Sequence, residues 1–248
     1  MKLITKLGTG ALKQETRNSV LEQLAKDAYE LTQNGDKIIV VTSGAVGLGK
    51  AKLKINENED IAARQAYAAV GQPILMQEYI STFNRYSLNV AQFLLAYSDL
   101  DSISRIENIK HAYEHLRKNK IIPIVNENDV TATEELTFGD NDTLATQIAI
   151  MMGFNTIINY TERGALVRYG ETITLTSNFN TSYYDTLDNP ETGFGRLSSK
   201  LEAAKKAVQA DKRYHIAKAG DSIFDILSGE KPSTRFLPEP KRISQLTL

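Results

Sequence analysis

Short apolar runs alternate along this chain with longer stretches in which apolar residues recur every three or four positions. Residues 2–7 are apolar enough for a strand and end at Gly8-Thr9-Gly10, a tight-turn signal. Residues 14–33 place Val20, Leu21, Leu24, Ala25, Ala28 and Leu31 at helical spacing, and Asn34-Gly35 closes that pattern as a left-handed C-cap does. Residues 37–42 are a β-branched run, which predicts a buried strand, and they lead into a second glycine turn, Ser43 to Gly49. Residues 60–84 read as a helix pair interrupted at Gly71-Gln72-Pro73, because proline removes a backbone donor. Further along, the pattern predicts strands over 89–95, 120–125 and 156–160, with helices over 103–118 and 143–152 between them. Residues 161–190 read as polar turns and short β pieces. After them come a helix over 198–210, a weak strand over 214–217, a short helix over 222–227 and a last strand over 235–237.

Strand, glycine turn, helix, strand is the grammar of a parallel sheet with crossover helices. The expected fold class is therefore α/β, one domain around a mainly parallel sheet. Ligands of such sheets bind beyond the carboxyl ends of the strands, and both glycine turns fall at such ends. A chain of 248 residues with 42% hydrophobic content can bury the core this requires. The net charge of −1 gives no reason to expect nucleic acid or an anionic membrane as a partner. There is no cysteine, which removes disulfides and thiolate chemistry. His111 and His115 stand four residues apart but lack the acid of a zinc-binding H-E-x-x-H helix, so both are expected on a helix surface. No apolar h-region opens the chain and no run is long enough to span a membrane, so a cytoplasmic protein is expected.

The most concentrated polar chemistry lies in Val125 to Leu144, with six acidic residues, three asparagines and four threonines between two apolar runs. Acidity alone suits a solvated loop. The Asn and Asp residues, however, are gathered at 126–129 and 140–142, which suits specific hydrogen bonding better. Three glycine segments could offer backbone N–H groups to phosphate: Gly8 to Gly10, Gly44 to Gly49, and Gly193 to Gly195. None has the P-loop spacing, and each alone is equally an ordinary turn. Lys6 at the end of the first strand, and Lys200 in the first turns of a helix, are placed to meet transferring phosphate oxygens. Asp140 and Asp142 are candidates for binding Mg²⁺ through water or for holding those lysines. Asp142 is equally placed to cap its helix.

With these residues in place, the chain resembles the amino-acid kinase family, and within it the glutamate kinases. The matching segments are K-L-G-T at 6–9, V-T-S-G-A at 41–45, A-A-V-G-Q at 68–72, and V-N-E-N-D at 125–129 with G-D-N-D at 139–142. The step of twelve residues from Asp129 to Asn141 is the family's spacing. Thr161 and Ser199-Lys200-Leu201 are weaker matches. The resemblance implies an α/β/α sandwich with a glutamate-side N-lobe (about 1–153) and a nucleotide-side C-lobe (about 154–248). It implies ATP-dependent, Mg²⁺-assisted phosphorylation of the L-glutamate γ-carboxylate, the first step of proline biosynthesis, by a homodimer or homotetramer. Lys6 and Lys200 would be the phosphoryl-stabilising lysines, with Asp142 orienting them. Ser43, Asn126, Asp129 and Asn141 would hold glutamate. Gly8, Thr161, Glu162, Gly193, Gly195 and Ser199 would join the two lysines around the nucleotide, with magnesium carried by ATP rather than by protein ligands.

The nucleotide half departs from the family pattern. Glu162 stands where the family has aspartate, the aspartate-proline that follows is absent, and Phe194 and Arg196 enter the glycine-rich segment. The competing readings are a relative with altered nucleotide use and a non-catalytic amino-acid sensor. The C-terminal RNA-binding-like domain of many relatives is not expected in this chain.

Overall fold

The computed structural model describes residues 1–54, 60–131, 141–185 and 197–237. In order, the elements are β1 (Lys2–Leu7), α1 (Arg17–Gln33), β2 (Lys37–Val41), α2 (Ala45–Leu53), α3 (Ile61–Asn84), β3 (Val90–Leu95), α4 (Tyr97–Leu100), α5 (Ile103–Lys118) and β4 (Ile122–Glu127). They continue with α6 (Asn141–Met152), β5 (Thr156–Thr161), β6 (Val167–Arg168), β7 (Glu171–Thr172), β8 (Leu175–Thr176), α7 (Leu197–Gln209), β9 (Arg213–Lys218), α8 (Ile223–Ser228) and β10 (Ser233–Phe236).

The main sheet has the order β3-β4-β2-β1-β5-β9-β10-β8. The strands from β3 to β9 run parallel, and β10 pairs antiparallel to β9. Side-chain alternation along each strand feeds two cores. On one face, Leu3, Leu7, Val40 and Ile158 pack with α1, α3 and α8; on the other, Ile4, Val41, Ile157 and Ile216 pack with α5, α6 and α7. The result is a three-layer α/β/α sandwich. From β1 the chain first builds the sheet to one side and then returns across it to place β5 on the other, so the carboxyl end of β1 lies at the switch in strand order.

Two expectations about α2 and α3 need correction. Ser43 to Gly49 is not one long glycine turn: only Gly44 turns, with φ +107°, and α2 begins at the next residue. Nor is there a break at Gly71-Gln72-Pro73, because α3 runs unbroken over 24 residues with Pro73 inside it. Pro73 and Ala69, whose carbonyl loses its usual donor, are both exposed, so water can satisfy that carbonyl. The glycines serve the crossing of the two helices. A Cβ on Gly49 would lie 1.8 Å from the Tyr67 carbonyl oxygen, and one on Gly71 would lie 1.8 Å from that of Ala45. The weak strand expected over 214–217 is a central strand, with Tyr214, Ile216 and Ala217 fully buried. His111 and His115 lie exposed on α5, as expected.

Candidate active site

Lys6 is the last residue but one of β1 and shares its side-chain parity with Ile4, which turns it toward α6 and α7. It is 4% exposed. A buried ammonium is tolerable only with a partner, and Asp142, in the first turn of α6, supplies one. Oδ1 of Asp142 pairs with Lys6 Nζ, and Oδ2 pairs with Lys200 Nζ of α7 at 2.9 Å. Asp142 also accepts from Asn159 Nδ2 at 2.9 Å and from Ser199 Oγ at 3.3 Å. Burial alone would push its carboxyl pKa up, but the Lys6 and Lys200 charges and hydrogen bonds outweigh this and hold it well below the usual carboxylate range. Asp142 thus stays ionised at neutral pH and joins two lysines that are far apart in the sequence.

Asn159 was not singled out from the sequence. It sits opposite Lys6 in the β1–β5 register and donates to both Asp142 and the Tyr214 hydroxyl, the latter at 2.7 Å. The signal was present, since Asn159 is an amide inside the apolar run 156–160. An amide that is fully buried in such a strand needs a polar partner on the face it points to.

Gly8 follows directly on this centre. A Cβ there would lie 3.1 Å from Lys6 Nζ, so the missing side chain keeps the approach to the ammonium open. Thr161, at the carboxyl end of β5, accepts from Gly164 N–H at 2.9 Å and donates to the Gly164 carbonyl at 3.0 Å, closing a turn whose glycine has φ +88°. Glu162 pairs with Lys13 at 2.6 Å, which ties the loop after β1 to the end of β5. Gly193, Gly195 and Asp140 lie outside the described residues.

A second polar group lies beyond the carboxyl ends of β2 and β4. Asn141 Nδ2 reaches the Thr42 carbonyl at 2.7 Å, Ser43 Oγ at 2.9 Å and Asn126 Oδ1 at 2.9 Å. Ser43, Asn126 and Asn141, three of the four expected substrate residues, therefore meet in one network. Asp129 lies nearby, bordering a hollow of about 190 Å³ together with Gln72, Gln92, Glu127 and Asn128. Burial pushes its carboxyl pKa up to about 6, against the lowering pull of the Arg64 charge. α6 joins the two groups, since Asn141 faces the network while its neighbour Asp142 faces the lysines. A larger hollow of about 680 Å³ between the 177–181 segment and Ser198, Leu201, Glu202 and Lys205 lies on the side of α7 away from Lys200. It is separate from the lysine centre.

Chemically, a buried and a part-buried ammonium fixed by one carboxylate form an anion-stabilising centre, the type of site suited to charge on a transferring phosphoryl group. The neighbouring network presents amides, a hydroxyl and a titratable carboxylate, which suits a small zwitterion. Among the described residues no three His, Cys, Asp or Glu side chains gather as a metal site. Both oxygens of Asp142 are engaged, so it does not fit the role of a magnesium ligand.

Residues 1–218 match the amino acid kinase family. A glutamate 5-kinase from Caldanaerobacter subterraneus subsp. tengcongensis is 32% identical over 259 residues, covering 98% of this chain and 70% of that protein. One from Prochlorococcus marinus subsp. pastoris is 34% identical, covering 98% of this chain and 72% of that protein. Among solved structures, carbamate kinase from Giardia lamblia bound to citric acid superposes with a TM-score of 0.63 at 14% identity, covering 96% of this chain and 98% of that one. An N-acetylglutamate synthase from Neisseria gonorrhoeae superposes with a TM-score of 0.67 at 14% identity, covering 96% of this chain and 59% of that one. At that identity the superpositions speak for the fold alone. With the sandwich, the bridged lysine pair and a match over most of its length, the chain belongs to the amino acid kinase family.

Proposed function

We propose that the protein transfers the γ-phosphoryl group of ATP to the γ-carboxylate of L-glutamate, forming γ-glutamyl phosphate for proline synthesis. The observation that carries this reading is the adjacency, across Asn141-Asp142, of an amide-rich substrate network and a lysine pair held by one buried carboxylate. The glutamate 5-kinases that match nearly the whole chain support the choice of substrate.

The γ-carboxylate is ionised at neutral pH, so the attack needs no general base. A carboxylate oxygen forms the new bond to the γ-phosphorus as the bond to the β–γ bridging oxygen breaks, and ADP leaves with that electron pair. Catalysis then consists of alignment and of neutralising the equatorial oxygens. Lys6 and Lys200 carry that neutralisation, Asp142 fixes their separation, and Gly8 leaves room for the phosphate beside Lys6. Magnesium enters as part of the MgATP substrate. In this reading residues 1–153 take glutamate and residues 154–248 take the nucleotide. Thr161, Glu162 and Ser199 line the nucleotide side, and the protein works in the cytoplasm as a homo-oligomer. No helix among the described residues is long and apolar enough to cross a membrane.

The direct test traps the acyl phosphate with hydroxylamine in the presence of MgATP and glutamate. Glutamate-dependent hydroxamate is the expected result. None above an enzyme-free control, with either ATP or GTP, would overturn the proposal.

Asp129 adds a pH dependence. Its carboxylate is assigned to the substrate ammonium, and protonation near pH 6 removes that charge. kcat/KM for glutamate is expected to fall about tenfold per pH unit below about 6, with a flatter kcat at saturating substrate. Asp129→Asn should lose this limb at a uniformly low kcat/KM. The linked stability effect has a definite sign. A raised folded-state pKa contributes stability below the unfolded value of 3.8, and that contribution is lost as pH rises through about 6. At neutral pH the charged, half-buried Asp129 therefore weighs against the fold until an ammonium meets it. Glutamate should accordingly raise Tm more at pH 8 than at pH 5.

A further inference from the structure

The segment A-A-V-G-Q at 68–72 belongs to the sequence resemblance, yet none of its residues appears in the proposed chemistry. Gly71 is explained by the contact of α3 with α2. Gln72 is not: it is 7% exposed and points from α3 toward the sheet, where it meets Asn126.

Gln72 belongs to a chain of side-chain amides. Its Nε2 donates to Gln92 Oε1 at 3.2 Å, and its Oε1 accepts from Asn126 Nδ2 at 2.9 Å. Asn126 Oδ1 in turn accepts from Asn141 Nδ2 at 2.9 Å. Every amide in the series points the same way, and two backbone groups fix that direction. The Glu127 N–H donates to Asn126 Oδ1 at 2.9 Å, so this atom must be the oxygen. The Thr42 carbonyl accepts from Asn141 at 2.7 Å, so that atom must be the nitrogen. The donors of Asn141 are then taken up by Thr42, Ser43 and Asn126. Its Oδ1 is buried and has no hydrogen-bond partner among the described residues. A buried acceptor without a donor is costly, and a ligand that brings a donor relieves the cost.

We infer that Gln72 is a positioning residue for the substrate network: acting through Asn126, it holds the Asn141 amide with its oxygen presented as an acceptor. The inference rests on the glutamate kinase reading and deepens it. It assigns Asn141 to the substrate's α-ammonium as an acceptor beside Asp129, rather than to the α-carboxylate as a donor. Without the Gln72 oxygen, Asn126 Nδ2 is left buried without its acceptor, and Asn126 shifts from the position in which its Oδ1 anchors the Asn141 amide. The lysine centre contains none of these amides.

Gln72→Met and Gln72→Glu separate this role from simple packing. Methionine fills the same space without an acceptor. Glutamate keeps an acceptor for Asn126 Nδ2, and the exposed Gln92 can rotate to donate to it. In the hydroxamate assay, Gln72→Met is expected to raise KM for glutamate about tenfold, with kcat and the KM for ATP within about threefold of the parent protein. It should also narrow the preference for glutamate over glutarate, which lacks the α-ammonium. Gln72→Glu should restore most of both. Thermal melting confirms that each variant is folded. Unchanged KM and preference in a folded Gln72→Met, or a Gln72→Glu as impaired as the methionine variant, overturns the inference. If Gln72→Met does not fold, the glutamate variant decides through its own KM and preference. Absence of hydroxamate from the parent protein is a separate failure, of the reaction assignment rather than of the relay.

Discussion

Lys6→Met is expected to lower kcat for acyl-phosphate formation by about a hundred- to a thousandfold, the range found when one preorganised donor is taken from a developing oxyanion. The reasoning begins with position. Lys6 is delivered by the central strand at the switch in strand order, is nearly buried, and is anchored by Asp142. It does not have to be ordered or desolvated during the reaction, so its charge acts at close to full strength on the transferring group. Methionine keeps the length and the apolar stem but removes the charge. The effect on KM for glutamate should be small, because the amide network around Asn141 is separate. Stability should change less than when a lone buried ion pair is broken, since Asp142 keeps Lys200, Asn159 and Ser199. The variant should also show a linked acid effect. Asp142 has a folded-state pKa below its unfolded value, so its stabilising contribution is present at neutral pH and is lost as pH falls through the folded value. Removing one of the two lysines raises the folded value, so acid unfolding should begin at a higher pH than in the parent protein. Single-turnover kinetics and an acid titration of circular dichroism measure the two effects. A kcat within about threefold of the parent would remove Lys6 from the mechanism.

The parts legible in the sequence were those written in local pattern or carried by motif. The β-branched runs at 37–41 and 156–158 gave central strands, and the order of elements gave a mainly parallel sheet. Lys6, Asp142 and Lys200 could be nominated as candidates from their places at strand and helix ends, and the family resemblance gave them joint roles. Nothing local to Asp142 announces a lysine 58 residues away. What escaped the reading depends on partners distant in sequence. The continuity of α3 through Pro73 follows from which side of the helix faces water. Gly49 and Gly71 looked like turn residues until α2 lay against α3. Asn159 looked like a strand residue until the register set it opposite Lys6. Glu162 illustrates the same limit: it is tied to Lys13 across 149 residues, a link that no reading of 160–167 alone contains. Loop positions chosen for a nucleotide thus also fasten one loop to another.

Asp142→Asn should be the most damaging single substitution in the centre, costing about 3–5 kcal/mol of stability as well as most of the activity. The carboxylate receives four donors: Lys6 and Asn159 on Oδ1, and Lys200 and Ser199 on Oδ2. An amide has one oxygen, so its NH₂ must face one of these donor pairs whichever way it turns. Each pair includes an ammonium, so a buried positive charge then meets N–H groups and no anion, in surroundings that screen it poorly. The substitution keeps the shape and removes the charge that holds two like charges near each other. kcat should fall about a hundredfold or more, since the lysines can no longer be held where both meet the phosphoryl oxygens. Urea unfolding across a pH series distinguishes this account from simple mispacking. Between neutral pH and the usual carboxylate range the stability gap to the parent should stay wide. It should narrow progressively as pH falls below the unfolded carboxyl value, where the unfolded chain takes up the proton first, and be gone once pH has passed the depressed folded-state pKa of Asp142 and the parent's carboxyl resembles the amide. A gap of constant size down to the most acid pH at which both proteins fold would mean that the amide variant fails through shape, and that the charge on Asp142 is not what holds Lys6 and Lys200 in place.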